Sequence, residues 1–466
     1  MAGRPANRLA SLAAGALLVG SAAAQNPDAS APEELRRRAE WGATFRHAGR
    51  DSGVIVTRLA PNSAARAAGL RVGDHVIVLN GRDVRDPAEF RNAQRAIRGG
   101  DSVIARLIRT RSIEGGGGDT AAIRFLVPPL AREQIPGTTA AYGVLRSPRG
   151  YLLRTLITRP ESAGTGRLPA ILFVPWLSCD AVEKPDPGGD GFAHLLRDVA
   201  AGSGMLLLRV EKPGVGDSDG PDCSDGSLAD ELAAYRAALA HLRARTDVDT
   251  TRIVILGGSL GGSLAPILVA ESPDGIVGVI SVGGFTKTWF EHMMEIERRR
   301  LVLSGQPPVA VNEAMRGFAR FYAEYLLGRQ TPTQVLTAHP ELRQLWYDEP
   351  EHQYGRHARY FHELQQLNPE GAWATVAERG IPGLIVWGEF DWIMSRDDQD
   401  RAVAILNRRR AGAGTLAVIP RTDHGLMTYP DEASAFADKG AQYDGRAAQA
   451  VIAWLRERFA GAGRRP

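Results

Sequence analysis

Ser259 is the residue whose neighbours best suit it to act as a nucleophile. It stands in Gly257-Gly258-Ser259-Leu260-Gly261, a G-x-S-x-G. The apolar run 253–256 before it reads as a buried parallel strand, and 263–270 after it can form a helix. A serine on a tight strand-to-helix turn is held out from the backbone. Side chains on its flanking glycines would collide with that strand and helix. Glycine-rich strand–helix turns also bind phosphate. Here no Lys-Ser/Thr pair follows, which argues against a Walker-type loop.

A serine hydroxyl is a poor nucleophile until an imidazole takes its proton and a carboxylate orients that imidazole. Both partners follow in the chain. The run 383–388 is a second apolar strand, leading into Glu389-Phe390-Asp391. The run 415–420 is a third, followed by Arg421-Thr422-Asp423-His424-Gly425. From about residue 138 to its end, the chain resembles the α/β-hydrolase superfamily, which orders its triad as nucleophile, acid, histidine. The resemblance implies Ser259 as nucleophile, Asp391 as acid and His424 as base. It also implies an oxyanion site of two backbone amides. One is Leu260, directly after the serine. The other is Trp176 or Leu177, since Pro175 has no N–H. The His-Gly that such enzymes often carry at this place is replaced by Val174-Pro175-Trp176-Leu177.

In this family an insertion at about 286–380 forms a helical cap that shapes the acyl pocket. It contains five of the ten histidines. His352, His357 and His362 are spaced off any one helix face, so no metal site and no cofactor is expected. The only cysteines are Cys179 and Cys223. Both lie in loops after strands that neighbour each other in the hydrolase sheet, and a disulfide between them is expected of an exported chain.

A separate module covers 41–127. Its run Ala60-Pro61-Asn62-Ser63-Ala64-Ala65-Arg66-Ala67-Ala68-Gly69-Leu70, followed by Gly73-Asp74 and Asn80-Gly81, resembles the PDZ domain of secreted bacterial proteases. The resemblance implies a small α+β fold and a groove for a C-terminal peptide. Trp41, Gly42, Ala43, Thr44 and Phe45 would supply its strand and carboxylate loop. Phe90, Ala93 and Ile97 would supply its helix. The segments 25–40 and 128–137 read as linkers.

Residues 1–24 have the form of a signal peptide. Arg4 and Arg8 precede a short apolar stretch and Ala22-Ala23-Ala24, and cleavage before Gln25 would deliver the protein to the periplasm. The apolar stretch is too short to make a stable membrane span. A net charge of +3 is too small and dispersed to argue for nucleic acid.

The expected architecture is therefore an α/β-hydrolase domain with a helical cap, preceded by a PDZ domain. The expected activity is carboxylic-ester cleavage on small-molecule substrates. A peptidase is the second expectation, with Glu291, Glu295 or Glu349 holding a substrate amine. A PDZ adaptor built on an inactive hydrolase fold is the third.

Overall fold

The computed structural model of the protein describes residues 33–47, 53–109, 119–272 and 274–459. The proposed signal peptide and the glycine run 115–118 lie outside them.

Eight strands form the main sheet: β1 (Thr138–Arg146), β2 (Leu152–Pro160), β3 (Leu168–Val174), β4 (Leu206–Val210), β5 (Val248–Gly258), β6 (Ile276–Val282), β7 (Gly383–Gly388) and β8 (Gly414–Ile419). Their order is β8-β7-β6-β5-β3-β4-β2-β1. β1 and β2 form an antiparallel hairpin, and β3 to β8 pair parallel. The central strands carry apolar runs, such as 253–256 in β5 and 171–174 in β3, because both faces are covered there. Gly191–Gly202 and Arg446–Phe459 pack on one face. Leu228–Ala244 and Leu260–Glu271 pack on the other.

The insertion after β6 builds a helical layer from Trp289–Leu303, Pro308–Tyr322, Pro332–Ala338 and Ala358–Leu364, with a two-residue hairpin His352–Gln353/Arg356–His357. It ends sooner than the sequence suggests. Pro369–Glu378 packs against Leu260–Glu271 and Arg396–Arg409, so it belongs to the helical layer on the sheet. Arg356, fully buried, ties the cap down. Its guanidinium donates to Glu231 on Leu228–Ala244 and to Cys223 Sγ and Cys179 Sγ. Those two sulfurs are bonded to each other as a disulfide, joining the loop after β3 to the loop after β4.

The N-terminal module has its own antiparallel sheet, running Ala43–His47, Val54–Leu59, His75–Leu79, Ser102–Arg109, Asp119–Leu126, with Arg82–Asp83 paired to His75–Leu79. Pro87–Ala96 turns Phe90 and Ala93 into its core, and Ile97 follows them. The apolar room beneath the edge strand Ala43–His47 is filled by the module's own rings. Phe45 packs on Phe90 at 4.9 Å between centroids, and Trp41 meets Phe45 at 6.0 Å and Phe125 at 6.3 Å. A void of about 10 Å³ remains inside the module's core, lined by these rings with Leu70, Val76, Leu79, Ala105 and Ile123, room for one water. Gly42 O accepts from Ala60 N, and Thr44 O accepts from Thr57 Oγ1.

The segments read as linkers are ordered where described. Arg38 bridges to Arg98, and Ala39 to Pro129. Arg37 reaches into the hydrolase domain and pairs with Glu183 at 2.8 Å and Asp217 at 2.6 Å, carboxylates 3% and 1% exposed. Arg95 on the module's helix donates to Gly220 O and Pro221 O. Removing one partner of a buried ion pair leaves the other charge uncompensated. Arg37→Met is therefore expected to lower unfolding free energy by about 3 kcal/mol, the low end of the usual range because Arg154 still faces Asp217 at 2.9 Å. Urea unfolding of the full chain measures it, and a midpoint equal to wild type would show that the contact does not stabilise.

Candidate active site

The turn after β5 explains the glycines. A Cβ on Gly257 would lie 2.0 Å from Gly261 O, and one on Gly261 would lie 2.0 Å from Val174 O. The chain crosses itself and β3 too closely for side chains. Ser259 itself has φ +55° and ψ −123°, a conformation that L residues rarely adopt, and it opens the helix Leu260–Glu271.

The serine is met by a side chain from the loop after β8, which is met in turn by one from the loop after β7. His424 Nε2 lies 2.9 Å from Ser259 Oγ. His424 Nδ1 lies 2.9 Å from Asp391 Oδ2. The other oxygen, Asp391 Oδ1, accepts the backbone N–H groups of Ile393 and Met394 at 2.9 and 2.8 Å. Asp391 is 5% exposed. Gly283 leaves the space beside this pair open, since a Cβ there would come within 3.2 Å of the imidazole.

The alternative carboxylates are otherwise engaged. Glu389 Oε2 accepts from Arg421 N, and Asp423 Oδ1 accepts from Met427 N within its own turn. Burial pushes the Asp423 carboxyl above its ordinary pKa.

Burial also pulls the His424 imidazole down, but the charge and hydrogen bond of Asp391, with a further contribution from Asp423, outweigh it and the net shift is upward. Only the neutral imidazole can take a proton from serine. A raised pKa means that this form is lost earlier as pH falls. The acid limb of kcat/KM is thus expected to have its midpoint above the ordinary imidazole value of about 6.5. A pH–rate profile with a neutral ester checks it, and a midpoint below that value would contradict the Asp391 coupling.

The serine opens into a cavity of about 460 Å³ under the cap. Leu260, Trp176 and Leu177 line it beside Ser259, so the serine and the candidate oxyanion residues share one space. The remaining wall is mostly apolar and aromatic, with Phe192, Phe285, Trp289, Ile296 and Trp392. Trp289, His292, Ile296 and Arg300 recur along one stripe of Trp289–Leu303, a helical spacing visible in the sequence once the helix is known to cover the serine.

The cap glutamates expected to hold an amine are elsewhere. Glu291 forms a capping box with Thr288. Glu295 pairs with Lys287 and Arg299. Glu349 is largely exposed and faces His352. Glu297, which sequence reasoning passed over, does line the cavity. It is already satisfied by Arg300 at 2.7 Å, Tyr322 Oη at 3.0 Å and Tyr347 Oη at 2.8 Å.

Comparison with known proteins agrees with this architecture. The family described as serine aminopeptidase, S33 matches residues 190–431, and the PDZ domain matches 33–108. The chain is 41% identical over 73 residues to the alpha/beta hydrolase domain-containing protein WAV2 of Arabidopsis thaliana. That stretch covers 16% of this chain and 22% of the relative, so the match spans about a fifth of the relative's length. Among solved structures, Est1E from Butyrivibrio proteoclasticus is similar at 16% identity, covering 69% of this chain and 99% of that one with a TM-score of 0.43. The alpha/beta hydrolase GrgF from Penicillium sp. sh18 is similar at 14% identity over 69% and 99% of the two chains, with a TM-score of 0.42. The serine aminopeptidase match takes in more than half of the 466 residues, and the chain belongs to that α/β-hydrolase family, with a PDZ domain at its N-terminal side.

Proposed function

We propose that the protein is a serine hydrolase that cleaves carboxylic esters through an acyl-enzyme. The observation that carries this reading is His424 standing at 2.9 Å from both Ser259 Oγ and Asp391 Oδ2. His424 Nε2 takes the serine proton as Oγ attacks the carbonyl carbon. The imidazolium, stabilised by Asp391, then gives that proton to the leaving alcohol. Water then attacks the acyl carbon as His424 Nε2 takes its proton, and the imidazolium returns that proton to Ser259 Oγ as the acid leaves.

The developing oxyanion is met by the N–H of Leu260 and by one from the loop after β3. Peptide geometry favours Leu177 for the second. Trp176 C=O and Leu177 N–H belong to one trans peptide and point in opposite directions. Trp176 O is turned into the protein, onto Lys212 Nζ at 2.5 Å. Leu177 N–H is therefore turned away from Lys212, and Leu177 itself lines the cavity beside Ser259.

The ester reading is supported by the cavity wall, whose three acids are already bonded: Glu297 to Arg300, Tyr322 and Tyr347, Asp190 to Ala193 N and Lys184, and Asp180 to Ser178 Oγ. The peptidase reading is the second, favoured by the family match. Fluorophosphonate labelling followed by a panel of acyl esters and aminoacyl anilides tests both. Labelling with ester turnover is expected. Turnover of anilides alone would replace the ester reading with the peptidase. No labelling would return the adaptor reading.

For the PDZ module, the contacts of Arg37 and Arg95 with the hydrolase domain favour a bracing role. Peptide recognition along that edge strand is the second reading. The disulfide supports an oxidising, extracytoplasmic location, in keeping with the signal peptide read from the sequence. Among the described residues, no helix is long and apolar enough to cross a membrane.

A further inference from the structure

Lys212 stands two residues after β4 and is 1% exposed. Its ammonium donates to three successive carbonyls of one loop: Trp176 O at 2.5 Å, Leu177 O at 3.2 Å and Ser178 O at 2.8 Å. An ammonium has three N–H groups, so these bonds use its full donor capacity. The loop is the one that follows β3 and faces Ser259. Nothing in the triad explains why a cation should be buried beneath it.

We propose that Lys212 is a positioning residue for the oxyanion site. By holding the carbonyls of Trp176 and Leu177 inward, it turns the Leu177 N–H outward to the serine. Its charge also polarises that peptide, making the N–H a better donor to a negative oxygen. The proposal rests on the serine-hydrolase reading above. Lys212 touches neither substrate nor Ser259. Its effect passes through the peptide plane, and it appears when negative charge develops on the substrate oxygen. It should therefore act on kcat more than on KM.

The groups around Lys212 are mixed in sign. Glu231 Oε2 lies 3.7 Å away on Leu228–Ala244, Arg356 approaches from the cap, Asp180 lies in the same loop, and Glu211 is its chain neighbour. Burial lowers the Lys212 pKa most. Glu231 raises it, Arg356 lowers it, Asp180 and Glu211 raise it, and the result lies at about 8. A neutral amine has two N–H groups for three carbonyls, so the loop loses a tether as pH rises through that value.

The test uses the full-length protein and a neutral short-chain p-nitrophenyl ester. Wild-type kcat is expected to fall along an alkaline limb near pH 8. Lys212→Met should lower kcat about 10²-fold, as loss of an oxyanion donor does, with KM within about threefold and the alkaline limb gone. Stoichiometric fluorophosphonate labelling of Ser259 in wild type is the control. Its failure would remove the hydrolase reading itself, independently of Lys212. A folded Lys212→Met protein with kcat within about threefold of wild type, or with the alkaline limb retained, would overturn the positioning role. If Lys212→Met does not fold, Glu231→Gln decides. Removing that carboxylate lowers the Lys212 pKa, so the limb must move to lower pH. An unmoved limb overturns the proposal.

Discussion

Ser259→Ala is expected to lower kcat for an ester by about 10⁴–10⁶ while leaving the fold intact. Alanine keeps the Cβ, so the strained φ of +55° and the turn built around it are unchanged. What disappears is Oγ, the atom 2.9 Å from His424 Nε2. Without it the imidazole has no hydroxyl to activate and no acyl-enzyme forms. Some acceleration over water should survive, because backbone donors and the cavity still bind and polarise the carbonyl. Mass spectrometry of a fluorophosphonate adduct locates the nucleophile directly. If Ser259→Ala still labels at the wild-type rate, the turn after β5 does not carry it.

What the sequence reveals divides by the range of the forces involved. The strand, glycine turn and helix around Ser259 are legible because the constraint is steric and local. Gly257 and Gly261 are forced by atoms a few residues away or on the adjoining strand. The apolar runs of β5, β7 and β8 are legible for the same reason, and each ends at a glycine, a proline or a polar residue. Arg37 is not. Its partners Glu183 and Asp217 lie far along the chain, and in sequence it is one arginine among three in a stretch that reads as linker.

Lys212 is hidden likewise. The run Lys212-Pro213-Gly214-Val215-Gly216-Asp217 reads as an ordinary glycine-rich turn, though a lysine two residues past an apolar strand was a signal available. The end of the cap is misplaced because Pro369–Glu378 has the composition of its cap neighbours. Only its packing on Leu260–Glu271 assigns it to the sheet layer. The PDZ resemblance gives the fold of the module but not the state of its groove. That depends on the rotamers that bring Phe45 onto Phe90.

Asp391→Asn is expected to cost about 10⁴ in kcat, far more than amide substitution at Glu389 or Asp423. The reason lies in the carboxylate's two sides. Oδ1 accepts two backbone N–H groups, from Ile393 and Met394, so that position must stay an acceptor. An asparagine would place its carbonyl oxygen there and turn its NH₂ toward His424 Nδ1. The imidazole would then have to accept at Nδ1 and carry its proton on Nε2, facing Ser259. In that tautomer it cannot take the serine proton. The loss is thus a wrong tautomer in an intact site, and the melting temperature should change little. Glu389→Gln touches only the bond to Arg421 N, and activity should stay near wild type. Asp423→Asn removes a minor charge near the imidazole, so the acid limb of kcat/KM should move slightly to lower pH, with kcat within about tenfold of wild type. The three variants, assayed side by side on one ester, separate the assignments. If Asp391→Asn keeps near wild-type kcat while Glu389→Gln or Asp423→Asn loses it, the acid is not Asp391, and the contact at 2.9 Å to His424 Nδ1 has another role.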